Sequence, residues 1–269
     1  MSVDADIDVS AARDLLVSAA REAGALALEY FRPGERTSAK VTAKAGGSPV
    51  TDADLAADSL LKQRLLKALP QAGWLSEETV DDFERLAHRS LIIVDPIDGT
   101  RAFVIGDSRW TVSAALIVGE RPVAGVVHAP ALGETYAAAR GSGATLNGAP
   151  LVPNDRWPPR RAAGPKLLVE AMAASLDVSV EIVPRVPSLA YRLSMAASGA
   201  VDFALAAQNS HDWDIAAADI LLEEAGARLI DATGERLRYN GRELRRGALI
   251  AAPDLSAPRL VEAFRAALL

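Results

Sequence analysis

Four groups of acidic residues stand where apolar runs break: Thr51-Asp52, Ser76-Glu77-Glu78, Asp95-Pro96-Ile97-Asp98-Gly99-Thr100 and His211-Asp212-Trp213-Asp214. Carboxylates brought together cannot all stay ionised unless cations sit between them. With no cysteine and three histidines in the whole chain, the donor set is oxygen, which selects hard ions such as Mg²⁺ over zinc. Two such ions about 4 Å apart can clamp the attacking and leaving oxygens of a phosphoryl transfer. In the 95–100 segment Pro96 holds the chain extended, and Gly99 lets backbone amides approach an anion. A helix starting near Gly99 would turn its free N–H groups toward a phosphate.

The elements that must position these residues follow from apolar spacing. Leu15, Ala19, Ala23, Leu26 and Tyr30 recur every three or four residues, predicting a helix over 10–30. The polar stretch 40–48 reads as a loop, and a second helix runs from Thr51-Asp52 to the stop at Pro70, with Asp52 at its entrance. Leu91 to Val94 is a buried strand halted by Asp95-Pro96, followed by strands at 111–118, 123–127 and 135–139. Further on, short apolar runs at 166–169, 201–206, 228–230 and 248–251 alternate with helices at 189–197, 215–225 and 257–268, with Gly226 as a C-cap. The proline-rich stretch 151–165 marks the boundary between two halves, 1–152 carrying most of the acidic motifs and 153–269 completing the site.

The 269 residues carry a net charge of −6, and the basic pairs Arg160-Arg161 and Arg245-Arg246 are isolated, so no basic stripe offers itself to a nucleic-acid polymer. Absent cysteine excludes disulfides and thiolate nucleophiles. The segment 1–14 has four aspartates and no apolar core of a signal peptide, and no run is long enough to span a membrane, which leads to the expectation of a cytoplasmic protein. His211 beside two aspartates reads as a hydrogen-bonded spacer rather than a catalyst.

Three motifs in order, Trp74-Leu75-Ser76-Glu77-Glu78, Asp95-Pro96-Ile97-Asp98-Gly99-Thr100 and Trp213-Asp214-Ile215-Ala216-Ala217, resemble those of the inositol monophosphatase superfamily. The resemblance implies a mixed α+β or α/β fold, a layered αβαβα sandwich. It implies Glu77, Asp95, the Ile97 carbonyl, Asp98 and Asp214 as ligands of two to three Mg²⁺ ions. It assigns Asp52 and Thr100 to orienting the attacking water, and the amides of Gly99 and Thr100 to the phosphate. Inhibition by Li⁺ and a homodimer belong to the same expectation.

The substrate is then a small phosphate monoester. Arg101, directly after Thr100, is a candidate contact for a second anionic group. Lys44 with Ser48-Pro49-Val50-Thr51-Asp52-Ala53-Asp54, and Gly125-Val126-Val127-His128-Ala129-Pro130, are similar to segments of bacterial 3′(2′),5′-bisphosphate nucleotidases. Ala207 stands where inositol phosphatases carry a glutamate that binds inositol hydroxyls. The expected substrate is therefore 3′-phosphoadenosine 5′-phosphate, with inositol phosphate, histidinol phosphate or a non-catalytic ligand-binding role as the alternatives.

Overall fold

The computed structural model describes residues 7–44 and 46–268. Helix α1 (Val9–Leu28) is capped by Asp8, whose carboxylate accepts from the amides of Ser10 and Ala11 at 3.0 Å each. Its buried face is almost all alanine (Ala12, Ala19, Ala20, Ala23 and Ala27 around Leu16), so the helix approaches its neighbours closely. A small hairpin, β1 (Val41–Ala43) with β2 (Pro49–Thr51), interrupts the expected 40–48 loop and feeds α2 (Asp52–Ala68).

A seven-stranded sheet follows: β3 (Gly73–Ser76), β4 (Ser90–Asp98), β5 (Thr111–Val118), β6 (Arg121–Ala129), β7 (Glu134–Ala139), β8 (Ala144–Leu146) and β9 (Ala149–Pro150), in that spatial order. Only β3 and β4 are parallel; the other neighbours are antiparallel. Helix α3 (Thr100–Ile105) leaves β4 through Gly99.

The second sheet takes β10 (Arg161–Ala163), β11 (Glu181–Ile182), β12 (Phe203–Ala206), β14 (Ala227–Asp231) and β16 (Leu249–Pro253) in the order β11-β10-β12-β16-β14, while β13 (Ser210–His211) pairs with β15 (Arg245–Arg246) apart from it. Between and outside them run α4 (Lys166–Ser175), α5 (Leu189–Ala197), α6 (Asp212–Ala225) and α7 (Ala257–Leu268).

Packing makes five layers. Helices α1 and α2 cover one face of the large sheet, α5 and α6 fill the space between the sheets, and α4 with α7 covers the outer face of the small sheet. The central layer is why α6 is apolar nearly all round, with Ile215, Ala216, Ala217, Ala218, Ile220, Leu221 and Leu222 all buried.

Two further elements differ from the sequence-based expectation. Residues 166–169 begin helix α4 instead of forming a strand; its buried positions, Val169 and Met172, lie one turn apart, a period that a four-residue apolar run is too short to reveal. Strand β4 does not stop at Val94 but continues to Asp98, with a register shift against β5 between Asp95 and Asp98. Pro96 falls inside that bulge, where no ladder hydrogen bond is asked of it.

Candidate metal centre and active site

The bulge in β4 aims Asp95 and Asp98 at the first turn of α6, which begins at Asp212 and so carries Asp214. One carboxylate oxygen from each of Asp95, Asp98 and Asp214 lies within 4.8 Å of the others. Asp95 is held by its own loop, accepting from the Ile97 amide at 3.0 Å. Asp98 accepts from the Ser188 hydroxyl at 2.6 Å and the Ala190 amide at 2.7 Å, which ties β4 to the start of α5. Asp214 accepts from the His211 amide at 2.7 Å.

Burial pushes the Asp95 carboxyl well above the usual range, and the negative charges of Glu77, Asp98 and Asp214 push it further. Asp214 is raised by burial and then by Asp98. Asp98 is also raised, by burial, although its hydrogen bonds from Ser188, Ala190 and Leu189 oppose the shift. Acceptors facing acceptors in a buried space is the arrangement a hard cation relieves.

Glu77, just past β3, borders this triad and is felt electrostatically by all three carboxylates. Its Oε1 accepts from Lys44 Nζ at 2.7 Å, and the same ammonium reaches Glu78 Oε1 at 2.8 Å. The Ile97 backbone is buried in the bulge, with its carbonyl oxygen 3.0 Å from the Thr100 hydroxyl. Three mutually repelling carboxylates with a fourth at their edge form an all-oxygen donor set that fits Mg²⁺. Bound there, Mg²⁺ would supply Lewis acidity and neutralise charge at the phosphate.

Asp52 does not sit beside Thr100. It is exposed at the first position of α2, and Thr51, not Asp52, is the N-cap. Asp54, one turn into the helix and 1% exposed, takes the place expected for Asp52: its Oδ1 lies 3.2 Å from Thr100 Oγ1, and its Oδ2 accepts from the Thr51 amide at 2.8 Å and hydroxyl at 2.6 Å. Burial pushes the Asp54 carboxyl up to about 6. The signal was present in the sequence as Thr-x-x-Asp, the capping-box pattern, in which the fourth residue folds back on the first and turns inward.

The Thr100 hydroxyl has one proton and two acceptors in reach, Asp54 and the Ile97 carbonyl. Given to Asp54, that proton leaves a hydroxyl lone pair free to accept from a water, so the pair can pass a proton toward the carboxylate. Gly99 has φ 95°, a torsion that calls for glycine, and an added Cβ would also press on the Ser188 nitrogen at 3.3 Å. Arg101 is exposed.

A different arginine is coupled electrostatically to the carboxylates. Arg192, on α5, is half-buried; its Nε is buried with no partner among the described residues, and one terminal nitrogen makes only a 3.5 Å contact to the Val186 carbonyl. Burial lowers its pKa, while Asp98 and Asp214 act to raise it and Arg185 to lower it further. A single arginine in the otherwise uncharged segment LAYRLSMAA was the only sequence signal for it.

Buried carboxylates gathered on a strand bulge beneath helix starts, in a five-layered αβαβα sandwich, define a metal-dependent phosphoric monoester hydrolase that acts on small phosphorylated substrates. The chain belongs to the Inositol monophosphatase family, whose sequence model matches residues 8–269, and Mg²⁺ dependence is general in that family. It is 32% identical over 240 residues to the 3′(2′),5′-bisphosphate nucleotidase CysQ of Aggregatibacter actinomycetemcomitans, covering 85% of this chain and 87% of that one. A histidinol-phosphatase of Mycobacterium tuberculosis is 36% identical over 214 residues, 72% of this chain and 78% of its own. Among solved structures, the extragenic suppressor protein suhB of Bartonella henselae superposes with a TM-score of 0.79 at 29% identity, covering 95% of this chain and 98% of that one. No described helix is long and apolar enough to cross a membrane.

Proposed function

We propose that the protein is a 3′(2′),5′-bisphosphate nucleotidase that hydrolyses 3′-phosphoadenosine 5′-phosphate to AMP and phosphate. The observation that carries this reading is Arg192, a half-buried guanidinium with an unpaired Nε beside Asp98 and Asp214. A buried guanidinium nitrogen without a hydrogen-bond partner is costly, and a second anionic group on the substrate would complete it. Arg192 lies four residues, about 6 Å of helix rise, beyond Ser188, which packs over Gly99. That spacing suits an anion distinct from the one being cleaved. The 32% identity to a nucleotidase supports the same substrate.

In this reading Glu77, Asp95, the Ile97 carbonyl, Asp98 and Asp214 hold two to three Mg²⁺ ions, and the amides of Gly99 and Thr100 hold the scissile phosphate. Asp54 and Thr100 orient the attacking water. Arg101 guides substrate at the rim, and Arg192 takes the second phosphate. Histidinol phosphate is the second reading, favoured by the 36% identical histidinol-phosphatase. A cytoplasmic, Li⁺-sensitive homodimer completes the proposal.

The test is kcat/KM for the bisphosphate nucleotide, histidinol phosphate and inositol 1-phosphate at saturating Mg²⁺, in the wild type and in Arg192→Ala and Arg101→Ala. The nucleotide is expected to lead, and Arg192→Ala to raise its KM at least tenfold, about 1.4 kcal/mol, with a smaller effect from Arg101→Ala. A competitor turned over as efficiently as the nucleotide would reject the substrate assignment.

A further inference from the structure

His211 is the last residue before α6, and its backbone pairs with Arg245 across β13 and β15. Its amide is committed to the Asp214 carboxylate, and its ring nitrogen Nδ1 lies 3.9 Å from the same group, so the imidazole is fixed at the edge of the carboxylate cluster. The Trp213 indole lies flat against it, with ring centroids 4.6 Å apart and planes 5° from parallel. Trp213 is itself anchored, packing on the core between the sheets and accepting from the Ser113 hydroxyl at 3.4 Å through its carbonyl.

One face of the imidazole is therefore covered, yet 29% of the side chain is open. The covered face is the one against Trp213, which leaves the other free of a stacking partner among the described residues. With Nδ1 3.9 Å from Asp214, the ring stands beside a carboxylate of the cluster, and Glu77 and Lys44 at the cluster's edge act on it electrostatically, as do Arg245 and Glu243.

We propose that the stacked His211–Trp213 pair is a platform for a planar heteroaromatic ring on the substrate's leaving group, so that the enzyme selects ring-bearing phosphate esters over polyol phosphates. A ring already held flat against an indole gives up little further freedom when a third ring stacks on it. A polyol laid on the same face would trade water for an aromatic surface that offers its hydroxyls no strong acceptor. The proposal rests on hydrolysis occurring at Asp95, Asp98 and Asp214. The ring is a purine in the nucleotidase reading and an imidazole in the histidinol phosphatase one.

The experiment measures kcat/KM for 3′-phosphoadenosine 5′-phosphate, histidinol phosphate and inositol 1-phosphate, with inhibition constants for AMP and histidinol, in the wild type, His211→Ala and His211→Phe. His211→Ala is expected to lower the ratio of the better ring-bearing ester to inositol 1-phosphate about tenfold. It should weaken inhibition by the matching ring-bearing alcohol or nucleotide to the same extent. His211→Phe, which keeps the plane and loses the nitrogens, should restore most of both. AMP and histidinol separate the purine from the imidazole. A loss equal on all three esters, or no rescue by phenylalanine, overturns the platform and leaves His211 as a support for Asp214. A wild type that prefers inositol 1-phosphate overturns the selectivity proposed here, whereas one that prefers histidinol phosphate to the nucleotide rejects the nucleotidase reading alone and leaves the platform to be judged by the inhibition constant of histidinol, which overturns it if unchanged in His211→Ala.

Discussion

Asp95 and Asp202 are buried to nearly the same degree, 1% and 3% exposed, in opposite electrostatic company. Asp202, at the approach to β12, is surrounded by donors. It accepts from the amides of Arg160 and Arg161 and from the Asn154 side chain, and so fastens the proline-rich crossing to the small sheet. Asp95 is surrounded by other acceptors: Asp98, Asp214, Glu77 and Asp54. A carboxylate whose lone pairs are all met from within the chain is a structural tie. One left facing its own kind needs a cation from outside, and its instability without one is part of its function.

The largest effect that could break this contrast is on turnover. Asp95→Asn is expected to lower kcat/KM more than roughly a thousandfold, about 4 kcal/mol of transition-state stabilisation, without lowering the melting temperature of the Mg²⁺-free protein. An Asp95→Asn protein with a tenth of wild-type activity at saturating Mg²⁺ would show that the cluster is not the catalytic centre.

Within the same site, Asp54→Asn and Thr100→Ala should each cost about a hundredfold, mainly in kcat, because a water-orienting pair acts in the transition state. Asp52→Asn should stay within about twofold of wild type. A reversed order, with Asp52→Asn the damaging change, would return the role to the exposed residue.

Asp202→Ala should show the opposite behaviour to Asp95→Asn. Stability is expected to fall by about 2–3 kcal/mol, because two amides and an Asn side chain lose their acceptor. Activity per folded molecule should hold. Denaturant unfolding paired with active-site titration separates the two outcomes.

The smallest effect is the pH dependence of stability without metal. Asp54, Asp95 and Asp214 all have folded pKa values above the unfolded one. The folded state therefore binds more protons than the unfolded state, and stability falls as pH rises. For Asp54 the window opens near its unfolded value of 3.8 and closes near 6. The Mg²⁺-free protein should be about 1–3 kcal/mol more stable at pH 5 than at pH 8, and added Mg²⁺ should cancel most of that difference. A flat profile would mean that the carboxylates are already neutralised from within.

Much of this was legible in the sequence. Strand β5 and helix α5 have the predicted bounds, and Gly226 is the left-handed C-cap of α6 that its position suggested. These are local matters, settled by periodicity and by the one residue type that tolerates positive φ. The aspartates of the cluster were equally readable, since a strand end or first helical turn presents fixed atoms to whatever lies beyond it.

What the sequence left open was which way neighbouring groups face. Asp52 and Asp54 differ by two residues on one helix; the capping-box spacing marks Asp54 as the one that folds back on Thr51, but the packing of α2 against the large sheet is what brings it to a threonine 46 positions away. Arg192 lay in no motif, and the motif that contains Trp213 did not show that its ring would lie flat against His211. Composition and spacing determined that this chain gathers carboxylates for a cation, because acidic residue types and short-range geometry are written locally. Tertiary structure alone decided which carboxylate meets the threonine, which arginine is left unpaired and which ring faces the site, because burial and electrostatic company are properties of chain segments distant in sequence.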